Sequence, residues 1–274
     1  MLAYPRVVAF LQPDNVSNLL REATEIEILP RFRNLSEGEV REKSPGELVT
    51  AADEAMERRL ADGLVALLPG SVVVGEEASS ANPSLLDLLS GEAPVWVVDP
   101  LDGTANFAAG SPVFGTMVCL VRQGATVAAW IYLPVEGGCL VAERGSGAWL
   151  DGTRVEAGPA ARPLRVSLNT KFFPPLHKEH IEATRPLFDI RPGPRCAAMT
   201  YTQLARGELD VALYYRLMPW DHAPGVLVYQ EAGGSAALLN GAPYSALVHS
   251  GGLLLAPDIE IWQRLAALFR APAL

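Results

Sequence analysis

The chain has 274 residues, 49% of them hydrophobic, and a formal net charge of −9. That length can bury a substantial core, as one large domain or as two closely packed halves. The acidic balance excludes a general nucleic-acid binder, whose affinity rests on neutralising phosphates with Lys and Arg. It does not exclude a phosphorylated substrate, because local cations can reverse the field at one site.

In chain order, Pro13, Asp14 and Asn15 open a helical pattern with Val16, Leu19, Leu20, Ala23 and Ile26 on one face, stopped or kinked near Pro30. A second helix begins at Thr50 or Asp53, carries Ala55, Met56, Leu60, Leu64 and Leu67, and breaks at Pro69-Gly70. Ser71 to Val74 reads as a short strand delivering Gly75, Glu76 and Glu77. A polar stretch with a short helix leads to the apolar run Val95 to Val98, a buried strand that ends in Asp99. From about residue 114 to 150 the pattern is a β meander. Phe114 to Val121 and Ala125 to Tyr132 flank the turn Arg122-Gln123-Gly124, and Cys139 to Ala142 and Ala148 to Leu150 follow.

Ala157 to Pro163 is small and Pro-containing, the best boundary between an N-terminal half (1–157) and a C-terminal half (158–274) of one catalytic unit. The second half reads strand (Leu164 to Leu168), helix (Leu176 to Phe188), helix (Ala197 to Ala205), strand (Leu209 to Tyr214) and helix (Asp221 to Ala232). Strands near Ser235 and Leu253 and a closing helix from Pro257 to Phe269 complete it. Mixed elements in this order indicate layered α+β, not a regular doubly wound sheet. Cys119, Cys139 and Cys196 share no C-x-x-C spacing and read as buried thiols in a reducing compartment. With no signal-like segment and no membrane-length apolar run, a cytoplasmic protein without membrane contact is expected.

Chemistry concentrates in residues 96–107, W-V-V-D-P-L-D-G-T-A-N-F. Two carboxylates at a strand end suit a hard divalent cation, which prefers oxygen ligands. Gly103 and Thr104 at the following helix start offer amides and a hydroxyl to an anion. Gly75-Glu76-Glu77 after one strand and Trp220-Asp221-His222-Ala223-Pro224-Gly225 opening a helix repeat the design of acids at element ends. Taken singly, the Glu pair reads as solvated loop acids and Asp221 as a helix N-cap.

The D-P-L-D-G-T-x-N-F and W-D-x-A-x-G segments resemble those of the inositol monophosphatase family, within the wider group of Mg²⁺-dependent, lithium-sensitive sugar phosphatases. The resemblance spans nearly the whole chain. It implies a layered αβαβα sandwich of the inositol monophosphatase and fructose-1,6-bisphosphatase type, usually a homodimer, acting on a small phosphorylated metabolite by direct attack of metal-activated water. It further implies Glu76, Asp99, Asp102 and Asp221 as side-chain metal ligands, with Leu101 contributing its carbonyl and Glu77 supporting them. Gly103 and Thr104 would hold phosphate. Asp53 would bond Thr104 and, with Glu76, help activate the nucleophile, and Lys43 would sit on a mobile loop over the metals. Two or three Mg²⁺ per site are implied, with Mn²⁺ as an alternative and Li⁺ and Ca²⁺ as inhibitors. No Ser, Cys or His nucleophile is then required. His222 stands where the family motif varies, and Trp220 reads as packing that holds Asp221.

The substrate wall departs from the family. Tyr214 stands six residues before Trp220, where inositol-specific members carry a glutamate, and Arg195-Cys196-Ala197 replaces a Gly-Thr-Ala segment. A lost hydroxyl acceptor matters for discrimination. Inositol phosphate, fructose 1,6-bisphosphate, histidinol phosphate and nucleotide-type 3′-phosphates therefore all stand as substrates. Outside enzymology the chain could be an inactive metal-binding regulator or a structural Ca²⁺ protein; the latter leaves Gly103, Thr104 and Asp53 without a purpose.

Overall fold

The computed structural model describes residues 13–36 and 38–270. Helix α1 (Pro13–Glu27) buries Val16, Leu20 and Ala23, but Ile26 is 44% exposed, and Thr24 and Ile28 take the inner positions. The helix ends at Glu27, and Pro30 sits in a short 3-10 turn, Leu29–Arg31. A hairpin follows that the sequence did not announce, β1 (Val40–Ser44) and β2 (Glu47–Thr50). β1 is charged and mostly exposed, so it lacks the apolar alternation by which strands are recognised. Lys43 is thus a strand residue, not a loop residue. Thr50 caps α2 (Ala51–Leu67) in a reciprocal capping box with Asp53.

β3 (Val72–Gly75) runs parallel to β4 (Val95–Asp102), and α3 (Glu76–Ala81) lies between them in sequence. After α4 (Thr104–Ala108) the chain makes an antiparallel meander: β5 (Gly115–Arg122), β6 (Ala125–Leu133), β7 (Gly138–Glu143), β8 (Gly147–Leu150) and β9 (Thr153–Val155). The sheet order is β3-β4-β5-β6-β7-β8-β9. The elements β10 (Arg165–Leu168), α5 (Pro175–Ala183), β11 (Asp189–Ile190), α6 (Ala197–Ala205), β12 (Val211–Arg216), α7 (Pro219–Glu231), β13 (Ser235–Leu238), β14 (Ser250–Ala256) and α8 (Ile259–Phe269) follow. Their strands form a second sheet in the order β11-β10-β12-β14-β13. The helix expected up to Phe188 ends at Ala183, before a 3-10 turn containing Pro186.

Alternation along the central strands sorts the core into layers. Trp96, Val98, Val118 and Leu120 pack with Leu20, Met56 and Leu60 of α1 and α2. Their neighbours Val97, Met117, Cys119 and Ile131 face the other way, toward Tyr201, Leu204, Val226 and Leu227 of α6 and α7. Those two helices also cover Ala212, Leu253 and Leu255 of the smaller sheet. Its far face, with Val211, Leu213 and Leu254, packs on Ile181 of α5 and Trp262 and Leu265 of α8. The result is an αβαβα sandwich. Gly225 is what lets α6 and α7 meet: a Cβ there would stand 2.1 Å from the Tyr201 ring.

Candidate active site

Asp99 and Asp102 are three residues apart, a spacing that sends side chains to opposite faces of a regular strand. β4 is irregular where it matters. Asp99 pairs with Met117 and Asp102 with Gly115, so Pro100 and Leu101 together oppose the single residue Thr116. This bulge brings both carboxylates to one side, and Thr116 Oγ1 donates to the Pro100 carbonyl at 2.9 Å within it. The strand therefore continues to Asp102 instead of ending at Asp99, and all eight of its residues are buried. Asp221 enters from the first turn of α7, so that one oxygen from each of Asp99, Asp102 and Asp221 lies within 4.8 Å of the others.

Burial and mutual repulsion hold these three acids above the ordinary carboxylate range. Burial acts first on Asp99, then Glu76, Asp102 and Asp221; on Asp221 burial is followed by Glu76 and Asp102. At Asp102 burial also dominates, partly offset by the Cys196 thiol and the Ala198 amide. An all-oxygen cluster that cannot ionise comfortably by itself fits a hard divalent cation, which would relieve the repulsion.

Glu76 and Glu77 follow β3 and share one cation: Lys43 Nζ donates to Glu76 Oε1 at 2.6 Å and to Glu77 Oε1 at 2.8 Å. Burial is the largest single influence on Lys43 and opposes its charge, but Glu76 and Glu77 together outweigh it and raise the lysine pKa. Burial and then repulsion from Glu76 push Glu77 to about 7. The turn is anchored by Glu57 of α2, whose carboxylate accepts from the Glu77 and Ala78 amides, both at 2.8 Å. Gly75 makes room for it, since a Cβ would lie 2.3 Å from the Glu57 carboxyl carbon. Sequence reasoning missed Glu57 because it looks like an ordinary helix-surface acid.

Thr104 Oγ1 lies 3.0 Å from Asp53 Oδ1 and 2.9 Å from the Leu101 carbonyl, one proton between two acceptors. Asp53 Oδ2 accepts from the Thr50 amide at 2.7 Å and from the Thr50 hydroxyl at 2.5 Å. Burial lifts Asp53 to about 6 despite those Thr50 bonds. Gly103 adopts φ +85°, and a Cβ there would meet the Val113 carbonyl at 2.9 Å. Both its conformation and its neighbour exclude other residues.

Asp102 also holds the start of α6. Its Oδ2 accepts from the Ala198 amide at 2.6 Å and faces the Cys196 thiol at 2.9 Å. Cys196 is thus more than the pocket wall expected from sequence. Asn106 explains its place in the D-P-L-D-G-T-x-N-F segment: its Nδ2 donates to the Pro194 carbonyl at 2.9 Å and reaches the Arg195 carbonyl at 3.4 Å. Arg195 itself sits at φ +57°, a left-handed conformation.

A cavity of about 520 Å³ opens beside these groups. Glu76, Asp102, Thr104 and Asp221 line it, together with Lys43, Arg195, Ala197, Tyr214 and Trp220. Tyr214 stacks with Tyr201 and packs tilted against His222, with ring centroids 6.2 and 4.7 Å away. Arg216, two residues on and missed by the sequence reading, also lines the cavity and pairs with Glu47 of the β1–β2 hairpin. His222 is 3% exposed. Its Nε2 meets the Arg216 carbonyl at 3.0 Å, which requires a proton on that nitrogen, so Nδ1 accepts from the Tyr201 hydroxyl at 2.9 Å. Burial lowers its pKa to about 4. A neutral ring with both nitrogens engaged is a strut between α6, α7 and β12.

Among the described residues no helix is long and apolar enough to cross a membrane. Residues 14–271 match the model of the inositol monophosphatase family. The chain is 33% identical to an inositol-1-monophosphatase of Rhizobium meliloti over 199 residues, 70% of this chain and 72% of that protein. It is 28% identical over 222 residues to a fructose-1,6-bisphosphatase/inositol-1-monophosphatase of Aquifex aeolicus, covering 78% and 80%. The crystal structure of the extragenic suppressor protein suhB of Bartonella henselae superposes with a TM-score of 0.80 at 23% identity, over 95% of this chain and 98% of that one. With the sandwich and its acidic cluster in place, the match over almost the full length settles the assignment: the chain belongs to the inositol monophosphatase family of phosphoric monoester hydrolases.

Proposed function

We propose that the chain is a Mg²⁺-dependent hydrolase of a small phosphate monoester, working by direct attack of water. The observation that carries this reading is the convergence of Asp99, Asp102 and Asp221 beside the Thr104–Asp53 pair, with Asp102, Asp221 and Thr104 lining one cavity. Glu76, Asp99, Asp102 and Asp221, with the Leu101 carbonyl, would hold the cations, and Glu77 would support Glu76. Bound Mg²⁺ supplies a lowered pKa for the attacking water and offsets charge on the phosphate and leaving oxygen.

The remaining work would fall to the chain's own groups. The left-handed turn at Gly103 frees backbone amides at the start of α4 for phosphate oxygens. Thr104 orients the water, and Asp53, its ionised form accessible near neutral pH, receives the proton through the threonine hydroxyl. Lys43 neutralises Glu76 and Glu77 and would give up Glu76 when a cation loads. Cytoplasmic location, a homodimer and inhibition by Li⁺ and Ca²⁺ belong to the same proposal. The test is phosphate release from a panel of phosphorylated metabolites with and without Mg²⁺. Mg²⁺-dependent release is expected from at least one ester, and binding of Mg²⁺ without turnover of any would favour a regulator.

A further inference from the structure

We infer that the substrate carries a second anionic group, a phosphate or carboxylate remote from the phosphate that is hydrolysed, and that Arg195 and Lys171 receive it. This rests on the hydrolase reading above. The cavity carries both signs of charge: Asp102, Asp221 and Glu76 line it together with four cations, Lys43, Lys171, Arg195 and Arg216. Two of the four are already used: Lys43 by Glu76 and Glu77, Arg216 by Glu47. Arg195 and Lys171 form no ion pair among the described residues.

The position of Arg195 is fixed. Asn106 holds the carbonyls on either side of its nitrogen and carbon, and Cys196, next in the chain, faces Asp102 at 2.9 Å. Its guanidinium is therefore tethered within one side-chain length of the acidic cluster. Lys171 follows β10 and lines the same cavity, and its ammonium stands 4.9 Å from the Phe172 ring centroid. A planar fork and a point charge lining one cavity suit an oxyanion, and a cleft with low-dielectric walls focuses their field. A neutral polyol ring would leave both cations without partners.

Matched esters test this, each pair differing in the second anion: fructose 1-phosphate against fructose 1,6-bisphosphate, adenosine 3′-phosphate against adenosine 3′,5′-bisphosphate, glycerol 3-phosphate against 3-phosphoglycerate. In Mg²⁺, kcat/KM should favour the more anionic member of at least one pair by tenfold or more. Arg195→Ala and Lys171→Ala should each shrink that ratio at least threefold, and 0.5 M KCl should compress it. Equal kcat/KM within every pair, or a preference untouched by both substitutions, overturns the inference. Calorimetric binding of the same pairs in Ca²⁺ keeps the two questions apart. Binding preference without turnover in Mg²⁺ upholds the anion subsite and overturns the hydrolase reading, whereas turnover without preference does the reverse. Absence of both overturns both.

Discussion

The Cys196 thiol and the Ala198 amide meet on a single carboxylate oxygen, Asp102 Oδ2, at 2.9 and 2.6 Å. The acid that helps to form the carboxylate cluster therefore also holds the start of α6. Removing the thiol should loosen Asp102 without moving the amide. Cys196→Ala is expected to weaken half-activation by Mg²⁺ about fivefold, the equivalent of about 1 kcal/mol for one hydrogen bond. Cys196→Ser, which keeps a donor, should stay within twofold of wild type. Equal Mg²⁺ dependence of both variants would show that the thiol only packs.

Asp99, Asp102 and Asp221 repel one another when ionised, so neutralising one should separate metal binding from folding. Asp221→Asn is expected to abolish most activity and to end the rise in melting temperature on adding Mg²⁺. In EDTA the same variant should melt higher than wild type, by about 2–4 °C for each kcal/mol of repulsion relieved. Asp99→Asn and Asp102→Asn should also lose activity, the latter with some loss of stability from its role at α6. A folded variant with near-normal turnover at ordinary Mg²⁺ would remove that residue from the cluster.

Thr104 and Asp53 share one hydrogen bond and, in the proposed mechanism, one task. Each of Thr104→Ala and Asp53→Asn should lower kcat far more than it raises KM. The double variant should cost little beyond the worse single change, because residues acting as a unit are not additive. Burial places Asp53 at about 6, so wild-type kcat should fall as pH drops through that region and the carboxylate takes up its proton. Multiplied losses in the double variant would assign the two residues to separate functions.

His222 is expected to contribute to stability and not to the pH–rate profile. Its folded pKa, lowered to about 4 by burial, lies below the usual 6.5. The unfolded chain therefore binds the proton first, and stability should be intact above pH 6.5 and decline as pH falls toward 4. His222→Ala should remove that dependence and cost roughly 1–3 kcal/mol by leaving the Tyr201 hydroxyl without its partner. Chemical denaturation at pH 4.5 and 7.5 measures both effects. A stability difference between the two pH values that is the same in wild type and variant would locate the titration elsewhere.

The layered architecture was legible in the sequence because its strands are long, apolar and punctuated by turn residues. The order of acids along the chain was legible too: Glu76 and Glu77 after β3, Asp99 and Asp102 at the end of β4, Asp221 opening α7. Local pattern could not supply the β1–β2 hairpin, whose first strand is charged and mostly exposed and which is held by Lys43 and Glu47 reaching distant partners. Nor could it reveal that a bulge at Pro100-Leu101 turns Asp99 and Asp102 to the same side, since the opposing residue, Thr116, is set by sheet register. The duties of Glu57, Asn106, Cys196 and Arg216 were invisible for the same reason. Each is a common residue type whose meaning comes from a partner between 20 and 169 positions away. Periodicity and turn chemistry are local and survive in one dimension; which carboxylates share a cation and which cations stay unpaired is decided only when the two sheets close on α6 and α7.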